Sequence, residues 1–453
     1  MSLLRFDASR ALAADLGHDE SQYGKTLRQA DSLRPEIQEM PFFRLPAQQL
    51  ADYAAVREES EVGRIFKIAN SVPDKIDAVV VLGSDAVTAG PIALRDACCD
   101  PYHNELCRAG RGSRPRMYFV GNHLDSDSIG ALLNRLRSGG YGETAPETRW
   151  ALVVVDPSGQ TRETSVILPH FLSALKSSLA RSPGESLGDY LIPITGPSGP
   201  LRQFALANGC REIYDHPTQI AESHSIFTAA GLMPAAMLAL DCMKLLEGAV
   251  AMNEHFQTAA PHENWVMQYV AASRGSAPTT RIICLWTEAL ASVAHWYTQI
   301  VDEPLASTMV SHPSGLLRQL ESSASLPHPE SLPHSESLPS ASPSPAASSL
   351  PAPRPVIHHW STAKWRMDPL RSSRFTHEDD PPAPLGDQTI ATIPQLLADM
   401  IATSCEAVHQ RGYRTTTFDL PHIDTFTLGQ LFQMLMISTA IETGCRKIAA
   451  SNV

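Results

Sequence analysis

The sequence predicts an α/β protein built on parallel β-sheets that are covered by helices on both faces. Short apolar runs rich in β-branched residues recur along the chain and alternate with segments of helical periodicity. The clearest run, Trp150-Ala-Leu-Val-Val-Val155, is apolar on both faces, which is typical of a central strand in a parallel sheet. Ligands of such sheets bind at the carboxyl ends of the strands, so a functional site is expected in those turns.

The same two signals place the individual elements. Strands are predicted over residues 78–82, 116–120, 150–155, 190–194, 212–214 and 281–286, and helices over residues 126–136, 165–179, 201–207 and 227–247. Apolar spacing between Leu50 and Ile68 predicts that the section before this alternation is helical. Near the chain end, predicted helices over 393–409 and 427–442 flank a predicted strand over 414–420.

Composition divides the chain into five regions. A helical section over 1–72 is followed by a first lobe over 73–250, and residues 251–320 begin a second part. Residues 321–355 are dominated by Ser, Pro, Ala and Leu, so we predict a disordered insertion that cannot pack a core. Residues 356–453 form either the rest of a second αβ lobe or a tail that closes the first.

Overall composition excludes several classes of protein. The 453 residues are 43% hydrophobic, which is enough for two or three domains with cores of their own. A net charge of −12 gives no basic surface for nucleic acid or anionic lipid. No export signal and no run of about 18 apolar residues is found, so neither secretion nor membrane spanning is expected.

The cysteines indicate a reducing compartment. Eight cysteines occur without a CxxC pair, so we expect reduced thiols in the cytoplasm. A metal site formed by Cys98, Cys99, Cys107 and His103 is an alternative, but adjacent cysteines suit one tetrahedral ion poorly. The sequence therefore predicts no metal and no cofactor.

The turn after the clearest strand predicts an anion site. Within Asp156-Pro-Ser-Gly-Gln-Thr-Arg-Glu163, residues Ser158, Gly159, Gln160 and Thr161 stand where the next helix begins. Free N–H groups, the positive end of the helix dipole and the hydroxyls would all point at one bound anion. The alternative is a helix start capped by Ser or Thr with no ligand.

Three motifs in this order resemble those of the bacterial glucose-6-phosphate isomerases. The run from Gly121 to Leu133 is similar to the GNxxDPD motif at a strand end, and residues 156–163 are similar to the SKSGTTTE phosphate loop. The segment Ser225-Ile-Phe-Thr-Ala-Ala-Gly-Leu-Met-Pro234 resembles the FSVLTxxGLLP helix start. Looser similarities occur at residues 80–85, 245–249 and 425–431.

The resemblance implies a two-lobed sugar-isomerase (SIS-type) fold of doubly wound parallel sheets, with a phosphorylated sugar between the lobes. It further implies interconversion of glucose 6-phosphate and fructose 6-phosphate in glycolysis and gluconeogenesis, and a possible homodimer. Carried over to this chain, the phosphate-binding residues are Ser84, Ser158, Gly159, Gln160 and Thr161.

The chain departs from the family where the reaction needs charge. The family's Gly-Gly-Arg is replaced by Ala221-Glu222-Ser223, the TTDLHSMGQ region has no equivalent, and the family's C-terminal lysine motif is not found. A cation that would stabilise an enediolate is thus replaced by a hydroxyl beside a carboxylate. The candidate replacements for the acid and base groups are His409, His224 and Glu222.

Each candidate also has a structural explanation. His409 precedes Gly412, where a histidine can interact with the last carbonyls of a helix, and His224 could pack in the core or cap a helix. Asp156 could cap the helix or repel a phosphate, and Asp85 carries the same ambiguity. His358 and His359 are expected to be exposed loop residues.

Three hypotheses for function remain. The first is an active isomerase of glucose 6-phosphate. The second is a catalytically silent relative that binds a sugar phosphate and serves as a sensor or subunit. The third is a scaffold whose pocket is empty and whose Ser/Pro-rich segment or surface recruits another protein.

Overall fold

Two five-stranded sheets organise the chain. The computed structural model describes residues 4–12, 22–138, 149–159, 161–180, 184–274, 280–301, 308–313, 316, 355–363 and 393–451. Most of the Ser/Pro-rich region, residues 321–354, and the predicted site residue Gln160 therefore lie outside the described residues.

The strands and helices have these bounds. The strands are β1 (Arg5–Asp7), β2 (Ala78–Gly83), β3 (Arg116–Val120), β4 (Trp150–Asp156), β5 (Leu191–Thr195), β6 (Tyr214–Asp215), β7 (Arg281–Leu285), β8 (Thr308–Ser311), β9 (Val356–Thr362) and β10 (Arg414–Leu420). The helices are α1 (Ser9–Leu12), α2 (Gln22–Ser32), α3 (Arg34–Gln38), α4 (Pro41–Val56), α5 (Glu61–Ser71), α6 (Asp85–Cys98), α7 (Ser126–Ser138), α8 (Arg162–Leu179), α9 (Pro200–Ala207), α10 (Ala229–Met237), α11 (Cys242–Thr258), α12 (Trp265–Ser273), α13 (Ala291–Ile300), α14 (Ile393–Gln410) and α15 (Thr425–Ser451). Short 3₁₀ helices cover Arg57–Glu59, Pro73–Lys75, Leu187–Asp189, Glu222–Phe227 and Glu288–Leu290.

The first sheet is parallel throughout and has the strand order β3-β2-β4-β5-β6. Every residue of β2 and β4 is buried, as their apolar composition predicts. Gly83 at the end of β2 lies opposite Val155 near the end of β4. The parallel α/β architecture predicted from the sequence is confirmed, and the sheet brings the ends of its strands to one edge.

The second sheet has the order β1-β10-β9-β7-β8, with β1 antiparallel and the other strands parallel. Strand β1 comes from the section that the sequence analysis predicted to be helical throughout. A three-residue strand with the pattern exposed-buried-exposed leaves too little periodicity to detect.

The expectation that His358 and His359 are exposed is wrong. Both histidines are buried in β9, the central strand of the second sheet. His358 hydrogen-bonds through Nδ1 to Thr416 Oγ1 at 2.7 Å, and the Trp286 indole N–H donates to His359 Nδ1 at 3.1 Å. A neutral imidazole can be buried when it has such partners, and local composition does not reveal them.

The predicted helix over 227–247 is divided into two. Helix α10 ends at Met237, Ala239 has a φ of 58°, and α11 starts after Asp241. The Asp241 carboxylate accepts the Lys244 N–H at 2.9 Å and so caps the new helix.

Helix α11 packs closely on α15 through two glycines. A Cβ atom on Gly248 would lie 2.0 Å from the Phe426 carbonyl oxygen, and one on Gly429 would lie 2.1 Å from the Leu245 oxygen. A buried hydrogen bond of 2.7 Å from Gln433 Nε2 to Asn253 Oδ1 also joins the two helices. Helix α15 is thus held against α11.

Three further observations concern function classes. All eight cysteines are reduced thiols. Within the described ranges, no group of three His, Cys, Asp or Glu residues has an arrangement able to hold a metal ion. His103, which belongs to the alternative metal set, is hydrogen-bonded through Nε2 to the Pro115 carbonyl at 3.0 Å. None of the helices in the described part of the chain combines the length and hydropathy needed to span a bilayer.

The close packing of α11 on α15 gives a testable prediction. Gly429→Ala places a methyl group against the backbone of α11, so we expect the free energy of unfolding to fall by about 1–3 kcal/mol. Gly130→Ala in α7 is the matched control, because nothing lies within 4 Å of the added Cβ. The control should gain about 0.5–1 kcal/mol from helix propensity. Urea denaturation of both variants measures this, and equal effects would contradict the packing described.

Candidate functional site

The predicted site residues of the first sheet lie at the carboxyl ends of β2 and β4. Ser84 follows Gly83, and Asp156 follows Val155, which is the residue paired with Gly83. Neighbouring strands are about 4.8 Å apart, so Ser84 and Asp156 start from adjacent positions at this edge. Because β2 and β4 are the central strands of the α/β layer, the edge is the expected place for a ligand.

The Asp156 carboxylate is the centre of the turn before α8. Its Oδ1 atom accepts hydrogen bonds from Ser158 Oγ at 3.0 Å, the Gly159 N–H at 2.9 Å and Thr161 Oγ1 at 2.8 Å. The Thr161 N–H donates to Oδ2 at 3.2 Å. Asp156 itself is only 2% exposed.

This geometry decides between the two roles considered for Asp156. The carboxylate turns into its own loop and accepts the N–H groups of Gly159 and Thr161, which lie just before the first residue of α8. Ser158, Gly159 and Thr161 were predicted to bind phosphate, and the groups named for that purpose already donate to an anion that belongs to the chain. The loop therefore has the donors of an anion site, and Asp156 fills it.

A second carboxylate lies at the end of β2. Ser84 Oγ donates a hydrogen bond of 3.0 Å to Glu222 Oε2, which brings together two residues predicted for the site. Glu222 begins the 3₁₀ helix Glu222–Phe227. Next to Ser84, Asp85 begins α6, and its Oδ2 lies 3.5 Å from His295 Nε2 of α13.

The edge thus carries three carboxylates, those of Asp85, Asp156 and Glu222, on two neighbouring strand ends and the segment facing them. Proton abstraction next to a carbonyl creates a negative oxygen, which needs donors or a cation close by. A like charge 4 Å away costs about 4 kcal/mol at the effective dielectric constant near a protein surface, a factor of about 10³ in rate. The charge of this edge opposes that chemistry.

His224 is held in a neutral form. Burial lowers the pKa of its imidazole to about 4. The ring lies 5.6 Å from the Phe42 ring, centroid to centroid, and the Ser223 hydroxyl is 3.1 Å from Nδ1. Ser223 and His224 line a cavity of about 390 Å³ between α3, α4, α13 and α15. His224, two residues after Glu222, therefore lines this cavity as an uncharged group.

His409 is separated from the other predicted residues. It is exposed at the end of α14, just before the amino end of β10, whereas ligands of parallel sheets bind at the carboxyl ends. The Gly412 N–H donates to the His409 carbonyl at 2.8 Å, which closes the turn after the helix. The geometry agrees with the helix-end explanation and gives His409 no contact with Ser84, Glu222 or His224 among the described residues.

Sequence reasoning did not identify His295 as part of this edge. His295 lies in α13, one residue before the buried Trp296, whose indole N–H donates to the Ser223 carbonyl at 3.1 Å. The sequence indicates that Trp296 faces the core, but it does not show which element lies opposite His295. That contact depends on how α13 packs on α6.

The neutral state of His224 predicts a pH dependence of stability. Its pKa in the folded protein is about 4, below the ordinary value of 6.5, so the unfolded chain binds a proton first as the pH falls. The stabilisation is complete above pH 6.5 and is lost as the pH falls towards 4. His224→Phe removes this titration, so between pH 7 and 4.5 wild type should lose about 1–3 kcal/mol more than the variant. Urea denaturation across that range measures the difference, and parallel curves would contradict it.

Comparison with known proteins gives relatives over about half of the chain. It is 27% identical over 282 residues to the glucose-6-phosphate isomerase of Carboxydothermus hydrogenoformans, covering 61% of this chain and 55% of that protein. It is 26% identical over 251 residues to the enzyme of that name from Streptococcus thermophilus, covering 54% and 53%. The chain spans about half the length of the curated relatives it matches. No protein-family model matches it.

Solved structures give the same fold at lower identity. A hypothetical protein from Thermus thermophilus superposes with a TM-score of 0.68 at 20% identity, covering 98% of this chain and 94% of that one. A glucose-6-phosphate isomerase from Chlamydia trachomatis gives 0.67 at 13% identity, covering 94% and 80%. The two-lobed sugar-isomerase architecture is therefore established for this chain by structure.

Proposed function

We propose that this chain, a divergent relative of the bacterial glucose-6-phosphate isomerases, is catalytically silent and serves as a non-catalytic scaffold built on the sugar-isomerase fold. The observation that carries the proposal is the hydrogen bonding of Asp156. Its carboxylate accepts four donors of the loop at which a sugar phosphate would be held. We place the protein in the cytoplasm, because its eight reduced thiols suit a reducing compartment.

A phosphate cannot share the loop with this carboxylate. Both groups need the same N–H and O–H donors, and the two negative charges would lie within a few ångströms of each other. Displacing Asp156 would leave a buried carboxylate without partners, which costs several kcal/mol. Of the two non-catalytic roles, the sugar-phosphate sensor is therefore less well supported than the scaffold.

The opposite end of the site supports the same proposal. Glu222 stands at the position where the resemblance places the residue before the catalytic arginine, and it accepts a hydrogen bond from Ser84. With Asp85 adjacent, the charge at the end of β2 is negative where an enediolate would need a positive group.

A second candidate function is isomerisation of glucose 6-phosphate and fructose 6-phosphate in glycolysis and gluconeogenesis, as the resemblance to proteins named glucose-6-phosphate isomerase implies. One observation favours it: Glu222 is a carboxylate at the sheet edge, 3.0 Å from a hydroxyl, as a general base would be. In that case the ligand is a phosphorylated sugar, and a homodimer with no nucleic acid or membrane partner is the expected assembly.

A coupled assay separates the two candidates. We expect wild type to show no interconversion of glucose 6-phosphate and fructose 6-phosphate above blank in either direction, because the charge at the site disfavours the enediolate. The enzyme from Streptococcus thermophilus, purified in the same way, is the positive control. Turnover in wild type that falls at least 100-fold in both Ser158→Ala and Glu222→Gln would support the isomerase and contradict the proposed scaffold.

The role of Asp156 has its own test. Asp156→Ser removes the internal anion, so we expect stability to fall by about 2–4 kcal/mol and glucose 6-phosphate to restore part of it. At 100 times its dissociation constant a ligand adds about 2.7 kcal/mol. Differential scanning fluorimetry should show no shift with 10 mM glucose 6-phosphate for wild type and a clear shift for Asp156→Ser.

The control for this test is Asp156→Asn, which keeps the shape of the side chain and so keeps the loop filled. It should not respond to the sugar phosphate. A shift in wild type as large as that in Asp156→Ser would show that the internal carboxylate does not exclude phosphate.

A further inference from the structure

A groove in the second sheet has groups that the first site lacks. It has a volume of about 470 Å³ and lies between α14 and one face of β10. Thr415, Thr417 and Asp419 alternate along β10 and form its floor. Asp7 of β1, which pairs with Thr417, and Arg10 of α1 form one side.

Two polar groups on the floor lack partners. The Thr415 hydroxyl oxygen is buried and makes no hydrogen bond with the described part of the chain, and Thr415 is only 2% exposed. The Asp419 carboxylate is partly buried and has no hydrogen bond or ion pair with the residues that the structure describes. Burial raises the pKa of Asp419, and the charge of Arg5, its cross-strand partner, lowers it only in part. A buried polar group without a partner destabilises the fold unless something else supplies one.

The sides of the groove differ in character. Arg10 is 42% exposed and pairs through Nη1 with Glu406 at 3.1 Å, which leaves other N–H groups of its guanidinium available. The side formed by α14 is apolar and made of small or aliphatic residues: Leu397, Ala398, Ile401, Ala402 and Cys405. The residues that line this space therefore include two carboxylates, a guanidinium, four residues with hydroxyl groups and an aliphatic surface.

We propose that this groove binds a small zwitterion of the α-amino-acid type. Its ammonium group lies at Asp419 and Asp7, its carboxylate at Arg10, and its aliphatic side chain against α14. A sugar phosphate fits poorly, because the two aspartates that face the space would repel its dianion. The volume is within the range of small-molecule sites.

Binding is tested by isothermal titration calorimetry on the full chain with glycine, L-alanine, L-valine and L-leucine. We expect binding that strengthens with side-chain size, because the aliphatic group covers α14. Isoamylamine and 4-methylpentanoate each carry one charge and the side chain of leucine. Each should bind at least about 10-fold more weakly than L-leucine, since one charge-assisted contact is lost.

Variants locate the site. Asp419→Asn and Arg10→Gln, on different elements, should each weaken L-leucine binding about 10- to 100-fold. Thr415→Val should leave L-leucine binding unchanged and the melting temperature unchanged or higher, because the buried hydroxyl has no partner among the described residues and is not reached from the groove. Asp215→Asn, an exposed aspartate at the end of β6, is the charge-matched control and should bind as wild type does.

Two results would overturn the proposal. One is the absence of heat and of any thermal shift with all four amino acids at 20 mM, which would identify the groove as a space filled only by water. The other is binding that Asp419→Asn and Arg10→Gln leave unchanged while both variants remain folded by circular dichroism.

Discussion

A buried carboxylate is stable only when donors surround it, and in this protein one such group shapes the whole site. Asp156 ends the central strand β4 and accepts four hydrogen bonds from the loop that precedes α8. Its main-chain oxygen accepts a hydrogen bond of 2.7 Å from Thr195 Oγ1, which also ties it to β5. Hydrogen bonds to a charged group contribute about 1.5–3 kcal/mol each, and the helix dipole favours the negative charge further. The turn is therefore fixed without a ligand.

The same principle extends to the other acids of the edge. Glu222 takes the Ser84 hydroxyl, and Asp85 lies close to His295. Each carboxylate thus has a partner from the chain, and the partners come from elements on both sides of the edge. The carboxylates of the site thus have partners within the chain, while the net charge of the site stays negative. Such an arrangement suits a rigid framework better than a surface that must receive a dianion.

The sequence predicted all five strands of the first sheet but only β7 and β10 of the second, for a physical reason. Strands β2 and β4 are buried on both faces, so their apolar runs could be recognised without knowing their neighbours. Strand β9 contains His358 and His359, whose burial depends on partners such as Thr416 and Trp286 that are distant in the chain. No local pattern reports such a partner, and the three residues of β1 show no period at all.

The candidate site shows the same contrast between features set by neighbouring residues and contacts between distant segments. The position of the loop after β4 was predictable, because strand, turn and helix are contiguous in sequence. The direction of the Asp156 side chain was not predictable. An aspartate that caps the helix and one that repels an anion would occupy the same position in the sequence. The meeting of Glu222 with Ser84 joins segments 138 positions apart and required the fold.

The two sheets differ in where binding free energy is available. A polar group that already has a good partner gains little from a ligand, because a ligand only exchanges one hydrogen bond for another. At the edge of the first sheet the acids and hydroxyls are satisfied in this way. On the second sheet Asp419 is partly desolvated and makes no hydrogen bond among the described residues. A ligand there replaces an unfavourable state by a favourable one. Unsatisfied groups, rather than similarity of a loop, therefore indicate where this protein gains most from binding.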